Sequence, residues 1–302
     1  MVTGVAGYVC YMSYLAMMYD SLQQYNAVTF IAEDCVMHIT QIRNATVVIH
    51  AGDKVILVDP MLAPKAAIPS LKYFTGKRRR NPLVDLPAET NGVLEQVTHC
   101  LITHCQKGHF DHLDRAGAKW LRERQIPVYC SVQDAEFLRG KGLDVHVLTA
   151  SGSNSFLGGQ VELVACVHGE GLVGKFMAHG YGYVIQLPNE PSLYLTGDTI
   201  LSDAVRQCIG ERQPDWVLLP AGGARFDLGD DIIMGLEEAM QVGELSNGQV
   251  IANHLESLDH CPVTRAELMA AVKQRGWSHR FHVPVDGETL AMALDGETLA
   301  IA

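Results

Sequence analysis

The feature that most constrains this 302-residue chain is the stretch Thr103-His104-Cys105-Gln106-Lys107-Gly108-His109-Phe110-Asp111-His112-Leu113-Asp114. Three histidines and two aspartates fall within eleven residues, between an apolar run at 97–103 and a helical pattern at 114–125. A strand ending at that point presents its last side chains from fixed backbone, and the loop after it can curl several more toward one place. Imidazole and carboxylate donors together suit Zn, Mn or Fe at a hydrolytic site. A lone loop histidine is ordinarily just solvated or hydrogen-bonded. Several at these offsets, followed by further metal-type residues at strand ends, favour a metal site.

Around this stretch, short β-branched or apolar runs predict strands at 38–42, 45–49, 54–58, 126–130, 145–148, 161–167, 183–187, 193–195, 216–220 and 250–252. Helical periodicity predicts helices at 114–125, 132–139, 232–242 and 264–274. Strands in runs, with helices interspersed, indicate two sheets with outer helices rather than a regular βαβ alternation. Residues 60–92 hold five prolines and the basic run Lys77-Arg78-Arg79-Arg80, which makes a long loop of the kind that is usually functional. The tail repeats itself, Asp286-Gly287-Glu288-Thr289-Leu290-Ala291 returning as Asp295-Gly296-Glu297-Thr298-Leu299-Ala300. Its Asp-Gly turn signals fit an edge hairpin, and a duplicated gene end explains it equally well.

The histidine-rich segment resembles the metallo-β-lactamase superfamily signature Thr-His-x-His-x-Asp-His, and other landmarks of that family follow in order. Asp59 matches an early structural aspartate, His168 an isolated third histidine, Asp198 in Thr196-Gly197-Asp198-Thr199 the aspartate that bridges two ions, and His254 the last histidine. The resemblance covers about residues 37–285 and is strongest to the branch containing the ascorbate-6-phosphate lactonases. It implies an α+β fold, a four-layer αββα sandwich, over 37–302, with 1–36 an extension of unknown role. It also implies two divalent ions, Zn first with Mn or Fe as the other candidates. His104, His109 and His168 would hold one, Asp111, His112 and His254 the other, and Asp198 would join them. A hydroxide shared by the two ions would be the nucleophile, with Asp111 and Asp198 as the catalytic carboxylates able to carry protons.

One departure bears on this. The family separates its first two histidines by a single residue, whereas four separate His104 from His109. In strict register the first ligand position falls on Lys107, which cannot bind metal while protonated. Either His104 still ligates, with Gln106-Lys107-Gly108 bulging outward, or one ion loses a ligand; glycine at 108 permits the tight return the first reading needs. Cys105 as a substitute ligand competes with the commoner role of a buried thiol.

Substrate contacts are expected from Arg225, in the glycine loop Ala221-Gly222-Gly223-Ala224-Arg225 after a strand end, and from His260, six residues past His254. A helix-capping role is the alternative for His260. The basic run 77–80 could grip an anion or be a solvated loop. His38, His50, His99, His146, His179, His279 and His282 lack such company and read as ordinary.

Composition narrows the function classes. Apolar residues make up 48% and charged residues 19%, ample for a core, and the net charge of −11 argues against nucleic acid as the main partner. Cysteines at 10, 35, 100, 105, 130, 166, 208 and 261 form no C-x-x-C pair and several lie in apolar runs, the usage of a reduced, cytoplasmic protein. Residues 2–19 carry no basic residue for a signal peptide and are interrupted for a membrane span, so a membrane role is disfavoured. The expected function is a metal-dependent hydrolase acting on an ester, lactone or phosphodiester of a small, anionic substrate, with a homo-oligomer compatible with the sequence. A nuclease of the same fold and a non-catalytic metal-binding or sensing protein with a degraded site are the alternatives.

Overall fold

The computed structural model describes residues 35–75, 78–106, 109–175, 177, 180–293 and 298–301. The expectations for residues 1–34, Lys77, Lys107, Gly108 and His179 therefore lie outside the described residues.

Among the described residues the strands form two sheets. The first holds β1 (Cys35–Arg43), β2 (Thr46–Ala51), β3 (Lys54–Val58), β4 (His99–Ile102), β5 (Val128–Ser131) and β6 (Val145–Leu148). The second holds β7 (Ser153–Phe156), β8 (Gly159–Ala165), β9 (Tyr181–Gln186), β10 (Leu193–Leu195), β11 (Trp216–Pro220), β12 (Gln249–Asn253) and β13 (Phe281–His282). The chain then returns to the first sheet with β14 (Thr289–Ala293) and β15 (Thr298–Ile301), giving the order β15-β14-β1-β2-β3-β4-β5-β6. The duplicated tail is thus an edge hairpin, with Leu290 opposite Ala300 and Ala291 opposite Leu299.

Strand alternation builds the layers. Val47 and Ile49 of β2, Ile56 and Val58 of β3, Leu101 of β4, Trp216 and Leu218 of β11 and Ile251 of β12 form one buried cluster between the sheets. Their sequence neighbours face outward beneath helices. Val48, Leu57, Cys100 and Ile102 meet Leu94 of α1 (Thr90–Glu95), Leu121 of α2 (Arg115–Arg124) and Leu138 of α3 (Val132–Gly140). Val217, Leu219 and Val250 meet Val205 and Ile209 of α4 (Asp203–Arg212), Met240 of α5 (Leu236–Leu245) and Leu268 of α6 (Arg265–Gln274). Strands apolar on both faces belong between a sheet and a helix layer, and the result is the αββα sandwich.

Several boundaries shift by a few residues, and two of the differences have a clear physical cause. The helix expected from residue 232 starts at Leu236, because Ile232 N donates to Ala224 O, Met234 N donates to Thr199 O, and Gly235 occupies the N-cap. The strand expected to reach residue 167 ends at Ala165, since Val167 N instead donates to the Thr199 hydroxyl.

Strands β3 to β6 run parallel, as do β10 to β13. In open sheets with parallel strands, ligands bind beyond the carboxyl ends. Residues Asp59, Thr103, Asp198 and His254 lie just past the ends of β3, β4, β10 and β12. The long loop 60–89 covers this side and is fixed by a buried arginine, Arg43, which donates to Met61 O at 2.6 Å, Ala63 O at 2.8 Å and Val84 O at 3.1 Å.

Candidate metal centre

The ends of those strands, together with the segment after antiparallel β8 that carries His168, bring the seven sequence-identified ligand candidates into two adjoining groups. In one, ligand atoms of His104, His109 and His168 lie within 4.8 Å of one another; in the other, those of Asp111, His112, Asp198 and His254 do. All seven are buried. The rings of His104 and His112 are 4.0 Å apart between centroids, so the groups share a border. Asp198 reaches both sides: its Oδ2 is 3.0 Å from His112 Nε2, 3.3 Å from His254 Nε2 and 3.9 Å from His168 Nε2. The longer spacing after His104 does not separate it from His109, whose ring centroid is 4.4 Å away. Cys105 is drawn off instead, its backbone N–H and thiol both directed at Asp134 Oδ1. Asp114, the last residue of the motif, caps α2 by accepting from Gly117 N at 2.7 Å.

Neighbouring groups fix the imidazoles. Asp59 accepts from Thr103 N at 2.8 Å and from the Thr103 hydroxyl at 2.6 Å, and its Oδ2 lies 2.8 Å from His112 Nδ1. With Nδ1–H committed to this carboxylate, Nε2 of His112 points its lone pair into the cluster. His168 does likewise by donating from Nδ1 to Ile232 O at 2.7 Å. Asp59 and His254 hold positive φ angles of 45° and 57°. Left-handed backbone is strained for such residues and clusters at functional sites.

Two residues that sequence reasoning passed over also touch the centre. Asn44, in the β1–β2 turn, is fully buried; its Nδ2 lies 3.2 Å from His254 Nε2 and its carbonyl accepts from His254 N. Cys261 Sγ lies 3.5 Å from His254 Nδ1. No spacing rule points to either, because each reaches the site through the fold from a different strand end.

The donor set fits divalent cations. Nε2 of His104 is buried with no hydrogen-bond partner, which costs free energy unless something accepts that lone pair. Burial holds the His104 and His168 imidazoles below their ordinary range and brings His109 down to about 4, so all three are neutral at pH 7. Burial also disfavours charge on His112 and His254, but the Asp198 carboxylate and its neighbours outweigh it and hold both well above the ordinary range. Asp111 and Asp198 are correspondingly held far below the ordinary carboxylate range, the histidines overcoming the cost of burial. Positive charge is what this pocket of carboxylates calls for, whether from protons or from metal.

A cavity of about 250 Å³ opens over the cluster. His109, Asp111, His168 and Asp198 form its polar floor, and Leu71, Phe110, Met177, Phe226 and Ile232 its apolar walls, with His260 among them. His260 is buried and stacks on Phe226, ring centroids 5.9 Å apart, so it is a wall residue and not a helix cap. Arg225 does not line this cavity. Its exposed guanidinium lies 3.9 Å from Asp231 and faces a neighbouring one. The glycine loop before it approaches protein rather than ligand: a Cβ on Gly222 would stand 2.2 Å from His254 O.

The profile of the beta-lactamase superfamily domain matches residues 38–253. The chain belongs to this superfamily. It is 33% identical over 258 residues to the UPF0173 protein YddR of Bacillus subtilis, covering 84% of this chain and 99% of the relative. A UPF0173 metal-dependent hydrolase of Xanthobacter autotrophicus is 30% identical over 207 residues, 64% of this chain and 74% of that one. Among solved structures, an isothiocyanate hydrolase from Delia radicum gut bacteria superposes with a TM-score of 0.76 at 31% identity, over 85% of this chain and 99% of that one. This superfamily member is a metal-dependent hydrolase, and its His/Asp cluster stands where the fold's parallel strands end. Among the described residues no helix is long and apolar enough to cross a membrane.

Proposed function

We propose that the chain hydrolyses a small molecule whose reacting group is a neutral carbon electrophile on an apolar substituent, with an isothiocyanate the first candidate. The observation that carries this is the lining of the inner cavity. Leu71, Phe110, Met177, Phe226 and Ile232 surround the approach to the cluster, and no described Lys or Arg lines it. An anionic phosphodiester at the floor would find no described Lys or Arg there, only the metals and His260. Esters and lactones share the neutral electrophile and stay in the same class. The similarity to an isothiocyanate hydrolase supports the choice. A nuclease is disfavoured by the net charge of −11 and by the small, apolar-walled cavity.

His104, His109 and His168 would hold one divalent ion and Asp111, His112 and His254 a second, with Asp198 between them; Zn suits these ligands, as do Mn and Fe. Bound there, the ions supply Lewis acidity and a nucleophilic hydroxide at neutral pH. The residues do the rest. Asp59 and Ile232 O keep His112 and His168 in the ligating tautomer. The apolar walls exclude bulk water and seat the substituent. His260 lines the same cavity; burial disfavours its charge while Cys261 and Asp111 raise it above its ordinary range, and it is the wall residue placed to exchange a proton with the reacting group. For an isothiocyanate the net change is addition of one water, which gives the amine and carbonyl sulfide.

The test uses the metal-loaded full chain against an alkyl isothiocyanate, a γ-lactone and a generic phosphodiester, with metal content measured in the same sample. Turnover of the first or second with little of the third is expected. Preference for the phosphodiester overturns the substrate reading.

A further inference from the structure

We propose that the cavity adjoining the inner one is an anion subsite, which holds a carboxylate at the far end of the substrate's apolar substituent. This rests on the reading of the inner cavity as the place of hydrolysis.

The outer cavity, about 340 Å³, is lined by Lys72, Thr75, Arg79, Arg225, Asp259 and His260, together with Pro262. His260 borders both cavities. Two pairs of sequence neighbours divide their side chains between the two spaces. Leu71 lines the inner cavity and Lys72 the outer; Phe226 lines the inner and Arg225 the outer. The two loops that supply these pairs are tied together, Lys72 Nζ donating to Phe226 O at 2.8 Å. Apolar wall thus passes into cationic wall across one residue step on each side. That is the shape of a site for a ligand with an apolar middle and an anionic end.

Within the lining itself three cations, Lys72, Arg79 and Arg225, stand against one carboxylate, Asp259. Of the basic run, Arg80 is spent on Ala66 O and Ala67 O, and Arg78 lies over the Tyr73 ring, 4.8 Å from its centroid. Arg79 alone of the three described arginines faces the cavity. Asp259, the carboxylate in the lining, is occupied by Leu71 N, Ser70 Oγ and Asn81 Nδ2. Asp227 is occupied by Tyr73 N and by the backbone and hydroxyl of Thr75. Asp231 offsets Arg225 only from 3.9 Å. A guanidinium fork matches a carboxylate by two parallel hydrogen bonds, and Arg79 and Arg225 each offer one to this cavity.

The experiment measures two things on the metal-loaded full chain. Calorimetric titration compares 4-phenylbutyrate with the neutral 4-phenylbutanamide, in the parent protein and in Arg79→Gln and Arg225→Gln. The carboxylate is expected to bind at least ten-fold tighter than the amide, and either substitution is expected to cut that ratio to two-fold or less. Arg79 and Arg225 are exposed, so thermal melting serves as the check that both variants fold. Equal binding of acid and amide overturns the proposal, as does a preference that both substitutions leave intact, because the carboxylate then sits on the metals. In parallel, kcat/KM is compared for n-hexyl and 6-carboxyhexyl isothiocyanate. Turnover without carboxylate preference removes the subsite and leaves the hydrolase reading standing. Arginine-dependent acid binding with neither compound turned over removes the isothiocyanate reading and leaves the subsite.

Discussion

Asp198 faces histidines of both groups through one oxygen. Asp198→Asn keeps its volume and removes its charge. Metal content by elemental analysis is expected to fall, and kcat/KM to drop by roughly 10²- to 10³-fold or more, the scale of losing one charge-stabilising group in a dry site. Unchanged metal content would rule out the joining role. Asp59 acts one step further out, through Nδ1 of His112. Asp59→Asn is expected to weaken metal affinity about 10- to 100-fold, measured by competition with a chelating dye.

The imidazoles also predict how protons follow metal. His112 and His254 stand above 6.5 despite burial, so with chelator present both carry protons at pH 7. Ligation requires the neutral ring, so metal binding at pH 7 should release up to about two protons, and affinity should rise with pH. Calorimetry in buffers of different ionisation enthalpy measures the release; none would contradict the charge balance proposed. His109 works with the opposite sign. Its ordinary value of 6.5 falls to about 4 in the fold, so the unfolded chain takes up the proton first. Its contribution is complete above pH 6.5 and is lost as pH falls toward 4, about 3 kcal/mol in chelated protein. At this scale much was legible: the resemblance to the metallo-β-lactamase signature picked out His104 to His254 as ligand candidates, and the fold brings those residues together. Asn44 and Cys261 were not, since a turn asparagine and a cysteine in a polar segment carry no signal of what the fold brings against them.

Among the elements, the parallel strands decide where the chemistry lies, and the loops after them decide how tightly it is held. Gly222 follows β11 and packs against the backbone of His254 after β12, with room for hydrogen only. Gly222→Ala must push His254 or the loop aside. It is expected to cost about 1–3 kcal/mol in chemical denaturation and to lower metal affinity. A variant with parental affinity would show that the loop yields without moving His254. The inner strands were readable because both-face burial leaves unbroken apolar runs such as Trp216–Pro220; polar β7 and two-residue β13 offered no such run and were not foreseen, nor was the short helix α1. Helix α4 was not foreseen, although Ser202 caps it and Val205, Cys208 and Ile209 keep helical spacing. Its polar remainder, with a glycine in the last turn, dilutes the pattern. The start of α5 was misplaced because Ile232 and Ile233 resemble a helix face in composition, while tertiary hydrogen bonds hold them in a loop.

For the whole molecule the metal centre joins what the core alone only stacks. His104, His109, Asp111 and His112 follow β4 of the first sheet, and His168, Asp198 and His254 follow β8, β10 and β12 of the second. Cation at 100 times its Kd adds about 2.7 kcal/mol. Chelation should therefore lower Tm by about 5–10 °C in a chain of this size, with recovery on adding metal back. A Tm indifferent to chelator would place the ions outside the folded centre. The apolar face between the sheets resists separation, and its interdigitating side chains oppose sliding as well. Metal ions held by residues split across it would tighten that alignment further, because coordination distances tolerate little error. Substitutions far from the centre that slide one sheet on the other should consequently be felt as weakened metal binding before any loss of folded protein. A metal-loaded centre would thus serve as a vernier on the alignment of the sandwich.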